Sequence, residues 1–188
     1  MANDSLKPPE IIETERLRLR PPVMQDATVI FATYAQDPEV TRYLTWRPHT
    51  SIDDTREFLR RCAAGWEQEG PFPWAITLRA GGRLLGLMDL RPGGHRVELG
   101  YALGRADWGR GFMTEAVCAV TEWALAQPEI HRVWAVCDVE NRASARVLEK
   151  VGMEREGILR RWSAHPNVGA IPRDCWCYAR VKATETTR

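Results

Sequence analysis

A mixed sheet flanked by helices, of the α/β (α+β) class, is the fold that the sequence predicts, from three observations. Strand-like stretches of alternating or β-branched residues are interleaved with amphipathic helical stretches. The middle of the chain is a run of strands separated by glycine-rich turns, and no internal repeat or linker interrupts the order β-α-α-β-β-β-α-β-α plus later strands. With 188 residues, of which 44% are hydrophobic and 27% charged, there is chain enough for one sizeable core. The expected organisation is a single domain over 10–182 with short flexible tails at 1–9 and 183–188.

The elements follow in order. Arg16 to Arg20 alternates apolar and charged residues and reads as a strand, after which Asp26 caps a helix to about Ala35. Ser51 and Asp54 form a capping box, and Ile52, Phe58, Leu59, Cys62 and Trp66 give the next helix its apolar stripe before Gly70-Pro71 breaks it. Trp74 to Ala80 and Leu84 to Leu90 around Gly81-Gly82 read as a hairpin, and Pro92-Gly93-Gly94 turns into the strand Val97 to Leu103. Met113, Ala116, Val117, Val120, Trp123 and Ala124 share one helical face, ended by Pro128. Ile130 to Val139 is β-rich, Asn141 caps a short helix closed by Gly152, Arg160 to Trp162 is strand-like, and Asp174 to Val181 is the last strand.

The junction Trp108-Gly109-Arg110-Gly111-Phe112-Met113-Thr114 places two glycines at the mouth of a helix, directly after a strand. Glycines let the backbone approach a ligand closely, and first-turn amides lack intrahelical acceptors and carry the positive end of the dipole. Such a turn suits a phosphate. It is not a Walker loop, because no Gly-Lys-Ser/Thr follows.

The chain resembles the GNAT superfamily of acetyl-CoA-dependent N-acetyltransferases, in particular the RimJ/RimL-type branch that acetylates the N-terminal amine of ribosomal proteins. The carriers are Glu13 to Arg20 as opening strand, Glu98-Leu99-Gly100-Tyr101, the Trp108 to Ala116 run, and Asn141 with Ser144 leading to Gly152-Met153. The family's Gln or Arg at 106 is replaced by Ala106, which leaves phosphate binding to backbone amides with Arg105 and Arg110 as charge partners. What the resemblance implies is a mostly antiparallel sheet with splayed central strands and acetyl-CoA, the acetyl donor, in the gap. It implies Asn141 on the pantetheine arm, Ser144 near the sulfur as thiol partner, and an oxyanion donor among the amides near Ala102 or Leu103, where that fold has a bulge. The family's tyrosine after the last helical leucine is here Glu149, a poor proton donor at neutral pH. An acceptor groove is expected from the first two helices and late loops, near Trp46, Arg47, Trp66, Trp74 and Trp162.

Acetyl transfer to an amine needs a group that takes the ammonium proton, a donor for the acyl oxygen and stabilisation of the leaving sulfur. Glu98 is the candidate base, acting through a water; an ion pair with Arg96 is its structural alternative, as N-capping is for Asn141 and a local first-turn bond for Ser144.

Composition narrows the partners. With 26 basic and 25 acidic residues the net charge is +1, which argues against general affinity for nucleic acid or a membrane surface. No apolar stretch approaches a membrane span, and Met1 to Pro9 has no signal-peptide core, so a cytoplasmic protein is expected. Cys62, Cys118, Cys137, Cys175 and Cys177 lack metal or redox spacing and read as free thiols; no metal site is expected, and the histidines at 49, 95, 131 and 165 read as turn or surface residues. The acceptor is a protein N-terminal α-amine or a small amine, with an acyl-CoA-binding protein without turnover as the third reading. Monomers and homodimers both occur in the family.

Overall fold

The computed structural model describes residues 6–183. Its chain order is β1 (Ile12–Glu13), β2 (Leu17–Arg20), α1 (Ala27–Ile30), α2 (Pro38–Thr41), α3 (Ile52–Glu67), β3 (Phe72–Leu78), β4 (Leu84–Gly93), β5 (Arg96–Leu103), α4 (Phe112–Ala126), β6 (Arg132–Asp138), α5 (Arg142–Lys150), β7 (Glu154–Ser163) and β8 (Arg173–Val181). The strands form one 8-stranded sheet in the order β1-β2-β3-β4-β5-β6-β8-β7. Every pairing is antiparallel except β5 with β6.

That parallel pair positions the site. β5 and β6 are in register only at Arg96↔Arg132, Val97↔Val133 and Glu98↔Trp134. Beyond Glu98 both strands continue unpaired with each other, β5 to Leu103 and β6 to Asp138, so the splay begins one residue past the glutamate. Unpaired inner strand edges leave backbone donors and acceptors free for a ligand.

Two packed clusters flank the sheet. Val97, Leu99 and Leu103 of β5 join Phe112, Ala116, Val117 and Val120 of α4 and Leu148 of α5 in one, while Ala75 and Leu84 join Ile30, Tyr34 and Leu59 from α1 to α3 in the other. The alternation that puts Val97, Leu99 and Tyr101 toward α4 and α5 puts Glu98, Gly100 and Ala102 toward the first helices.

Several elements differ from the sequence reading. The opening strand expected over Glu13 to Arg20 is a hairpin: Thr14 N–H donates to Leu17 O and Leu17 N–H to Thr14 Oγ1, closing a turn between β1 and β2. Asp26 gives the first helix no side-chain cap; its carboxylate accepts two bonds from Arg20, at 2.8 and 2.7 Å, and one from Val23 N–H. The helix reaches Ala35 through a wider π-type turn, Phe31–Ala35. β7 is far longer than Arg160 to Trp162, and as an exposed edge strand it shows no buried face for a period of two to reveal. The Ser51 to Asp54 capping box, the Gly81-Gly82 turn and the Gly152 helix end form as expected.

Residues 1–5 of the expected N-terminal tail, and 184–188 of the C-terminal one, lie outside the described residues. Leu6 packs against the core, Pro8 is buried, and Trp74 Nε1 donates to the carbonyls of Pro9 and Glu10. Among the described residues, no helix is long and apolar enough to cross a membrane.

Candidate active site

The glycine loop is built without a side-chain cap. Gly109 has φ +74° and Gly111 φ +80°, and Gly111, the residue that opens α4, makes no side-chain bond to the first-turn amides. Left-handed backbone at both positions is why glycine is required there. The acid of that turn, Glu115, faces elsewhere: its carboxylate accepts from Thr14 Oγ1, Arg16 N–H and Arg16 Nε, at 2.5, 2.9 and 2.6 Å, which holds it below the usual carboxylate range despite burial. Arg16 also donates to Arg110 O at 3.1 Å and stacks over Phe112. Sequence reasoning missed this arginine of the β1–β2 turn, which shapes the loop from outside it.

A cavity of about 330 Å³ opens beside the loop. Every residue of the expected donor set except Arg110 lines it: Ala102, Leu103 and Trp108; Gly109, Gly111, Phe112, Met113 and Thr114; Asn141 and Ser144. The Arg110 guanidinium instead bonds Asp107 at 3.1 Å and lies over the Phe112 ring, and Arg105 pairs with Asp37. Arg146 and Lys150 of α5 complete the rim with positive charge. These features fit the diphosphate of acetyl-CoA: the first-turn amides are uncapped, and a Cβ at Gly109 would meet no protein atom within 4 Å.

β5 carries no bulge. Its ladder with β4 runs unbroken from Gly93↔Arg96 to Gly86↔Leu103, so the expected bulge near Ala102 is absent. The Gly104 N–H bond to Leu85 O sets the phase of that ladder: the peptide N–H of Ala102 is spent on Leu87, whereas those of Tyr101 and Leu103 face the gap toward β6. Trp108 Nε1 donates to Leu103 O at 2.7 Å and draws the end of β5 toward the loop.

Glu98 lies on the other side, in a second cavity of about 340 Å³. Its ion-pair partner is Arg91, at 3.4 Å, across the β4–β5 rung, and not Arg96. Arg91 also grips Asp89, and Gly100 makes this possible: a Cβ there would stand 2.5 Å from Asp89 Oδ1 and 3.0 Å from Arg91. Burial raises the Glu98 carboxyl above its ordinary value, opposed by Arg91 and assisted by Asp89. Trp46 and Trp162 wall this cavity as expected of an acceptor groove. Trp66 and Trp74 do not; they pack edge to face, 5.4 Å apart, because rings of that size fill the space between α3 and β3. Arg47 is not in the wall either.

The two cavities meet where Tyr43, Leu44, Tyr101, Ala102, Asn141 and Ser144 line both. Asn141 Oδ1 accepts from Ser144 N–H at 3.2 Å, so it caps α5. Ser144 Oγ and the Tyr101 hydroxyl are 2.8 Å apart. His165, read as a turn residue, is buried, with Nε2 3.7 Å from Asp138 and the ring edge-on to Tyr43; burial lowers its tendency to protonate. Asp138 stays ionised because, against its burial, Arg173 and the Glu140 amide bind it.

The comparisons with known proteins decide the family. The sequence profile of the acetyltransferase (GNAT) domain matches residues 16–154. The chain belongs to the GNAT acetyltransferase family. Its similarity to the uncharacterised N-acetyltransferase YoaA of Bacillus subtilis (strain 168) is 33% identity over 178 residues, 93% of this chain and 98% of that protein. A shorter match, 34% over 66 residues, covers 35% of this chain and 34% of the Escherichia coli (strain K12) ribosomal protein uS5 alanine N-acetyltransferase. The fold matches the microcin C7 self-immunity acetyltransferase MccE, solved with acetyl-CoA and AMP, at TM-score 0.82 and 20% identity, covering 93% of this chain and 98% of that one. This GNAT protein is an acetyl-CoA-dependent N-acetyltransferase.

Proposed function

We propose that this GNAT enzyme acetylates a protein N-terminal α-amine, as its partial likeness to the uS5 alanine N-acetyltransferase suggests. The observation that carries the reading is the meeting of two cavities at Tyr101 and Ser144, one edged by amides and basic side chains, the other holding Asp89 and Glu98 between tryptophans. Carboxylates among aromatic walls suit an ammonium on an apolar segment.

Bound acetyl-CoA supplies an activated acyl thioester. The amides from Gly109 to Thr114 would hold its diphosphate and Asn141 its pantetheine arm. Glu98 accepts the ammonium proton through a water, which requires the carboxylate form. The Leu103 N–H, facing the gap, is the available donor to the acyl oxygen, and Ser144 faces the sulfur. Both cavities are lined by residues of one chain. The reading puts the enzyme in the cytoplasm, with ribosomal proteins among its substrates.

The test is chromatographic detection of free CoA after incubating enzyme, acetyl-CoA and peptides varied at their first two residues, with mass spectrometry of the peptides. Release above the peptide-free control, with acetyl on the α-amine, is the expected result. Turnover confined to small amines overturns the acceptor, and binding without any turnover overturns the enzyme reading.

A further inference from the structure

The tyrosine that the resembled family places after the last helical leucine is Glu149 here, and Glu149 is already engaged: it accepts from the Tyr178 hydroxyl at 2.9 Å. A phenol nevertheless reaches the place where the cavities join, from a different element. Tyr101 comes from β5, in phase with the core residues Val97, Leu99 and Leu103, and its ring packs against that core. Its hydroxyl emerges at the first turn of α5, 2.8 Å from Ser144 Oγ and 3.4 Å from Ser144 O.

We propose that Tyr101 is a positioning residue for acetyl transfer, orienting Ser144 toward the leaving sulfur and replenishing its proton. When the phenol donates to Ser144 Oγ, the serine hydroxyl proton is released from that contact and can turn toward the shared seam of the cavities. Ser144 Oγ then gives its proton to the sulfur as the carbon–sulfur bond breaks and the electron pair stays on sulfur. Tyr101 gives its phenol proton to Ser144 Oγ and regains one of the two protons shed by the acceptor ammonium, the other passing to solvent.

The surroundings suit this role. Burial raises the Tyr101 phenol well above its ordinary value, so it remains a donor at neutral pH. Its titratable neighbours are neutral as well: burial pushes the Cys137 thiol and the Tyr178 phenol each up to about 12. The Cys137 thiol, which also contacts the Ser144 hydroxyl, is neutral and a weak acceptor.

The inference rests on the donor site proposed above, and calorimetric titration of the free enzyme with CoA and with desulfo-CoA tests both. Wild type is expected to prefer CoA about fivefold, the equivalent of one hydrogen bond to the sulfur. In Tyr101→Phe and Ser144→Ala this preference falls to about one, with desulfo-CoA affinity unchanged. Tyr101→Phe is also expected to lower kcat about 100-fold at constant KM for acetyl-CoA, and to cost nothing further in the Ser144→Ala background. A CoA preference retained by Tyr101→Phe, or additive losses in the double variant, overturns the proposal and leaves the donor site standing. Failure of wild type to bind either ligand overturns both. Should Tyr101→Phe not fold, Ser144→Ala carries the test: a preference of about one supports the relay, and a retained fivefold preference overturns it.

Discussion

Arg83, in the turn between β3 and β4, reaches Asp107 with two hydrogen bonds of 2.7 Å, although the two lie 24 residues apart and the Asp107 side chain is only 1% exposed. Arg110 adds a bond of 3.1 Å to the same carboxylate. The glycine loop is therefore moored to the sheet on its β5 side by Arg83 and on its α4 side by Arg16, which holds Arg110 O and Glu115.

Replacing Arg83 with Ala should cost about 1–2 kcal/mol, a fall in Tm of about 2–8 °C, because a buried carboxylate loses its main partner. The sign of the pH dependence follows from the Asp107 carboxyl, which the Arg83 bonds hold below its ordinary value. Its contribution is present above the unfolded carboxyl value of about 3.9 and is lost as pH falls through the lower folded value. Melting curves of wild type and Arg83→Ala should thus be well separated at neutral pH and converge in strong acid; a constant separation would exclude the pair as the cause.

Gly111 should tolerate no branched residue. At φ +80° a side chain is strained by about 1–2 kcal/mol, and its Cβ would stand 3.4 Å from the Arg16 guanidinium. Gly111→Val is expected to lower Tm modestly and to weaken acetyl-CoA binding at least about tenfold in calorimetry, since the loop amides move with it. Unchanged affinity would detach the loop from the donor site.

Glu98→Gln should depress kcat about 100-fold with the acetyl-CoA dissociation constant unchanged. Burial raises the Glu98 carboxyl, and the base must be ionised, so wild-type kcat/KM should fall on acidification through that raised value. In the variant the acidic limb should flatten. A limb that survives the substitution would assign it to another group and demote Glu98 to holding Arg91.

Tyr34 offers a stability test on the Glu98 side of the sheet, where it lines the second cavity. Its hydroxyl is buried and has no hydrogen-bond partner among the described residues, and its ring belongs to the cluster formed by α1 to α3. Removing an unsatisfied polar atom while keeping the ring should be neutral or stabilising, so Tyr34→Phe is expected to raise Tm by up to about 4 °C. A clear fall in Tm would mean that the hydroxyl is satisfied in solution.

Ser144 and Tyr101 show how unevenly the site could be read beforehand. Asn141 and Ser144 stand out in sequence because cap residues are spaced along one turn, a local signal. Tyr101 does not, because the period of two places it with Val97 and Leu99 as core, and only the docking of α5 on that face brings its hydroxyl to Ser144. Arg91 is hidden for a similar reason: its partner Glu98 is adjacent only across the β4–β5 rung, and Asp89 joins the pair through Arg91. His165, flanked by a proline, reads as a turn residue in sequence, and only the fold buries it beside Asp138 of β6.

Local chemistry in the chain by itself determined the strand, loop and helix around Gly109 and Gly111, the caps at Ser51 and Asn141, and the mixed order of elements, because backbone preference and short periodicities need no distant partner. The hairpin that replaces the first strand, the exposed edge strand β7 and the regular, unbulged β5 were decided by pairing between segments. The same holds for the chemistry. Which carboxylate meets which arginine, and which hydroxyl meets Ser144, depends on strand register and helix docking, contacts between residues far apart in sequence that only the folded chain brings together.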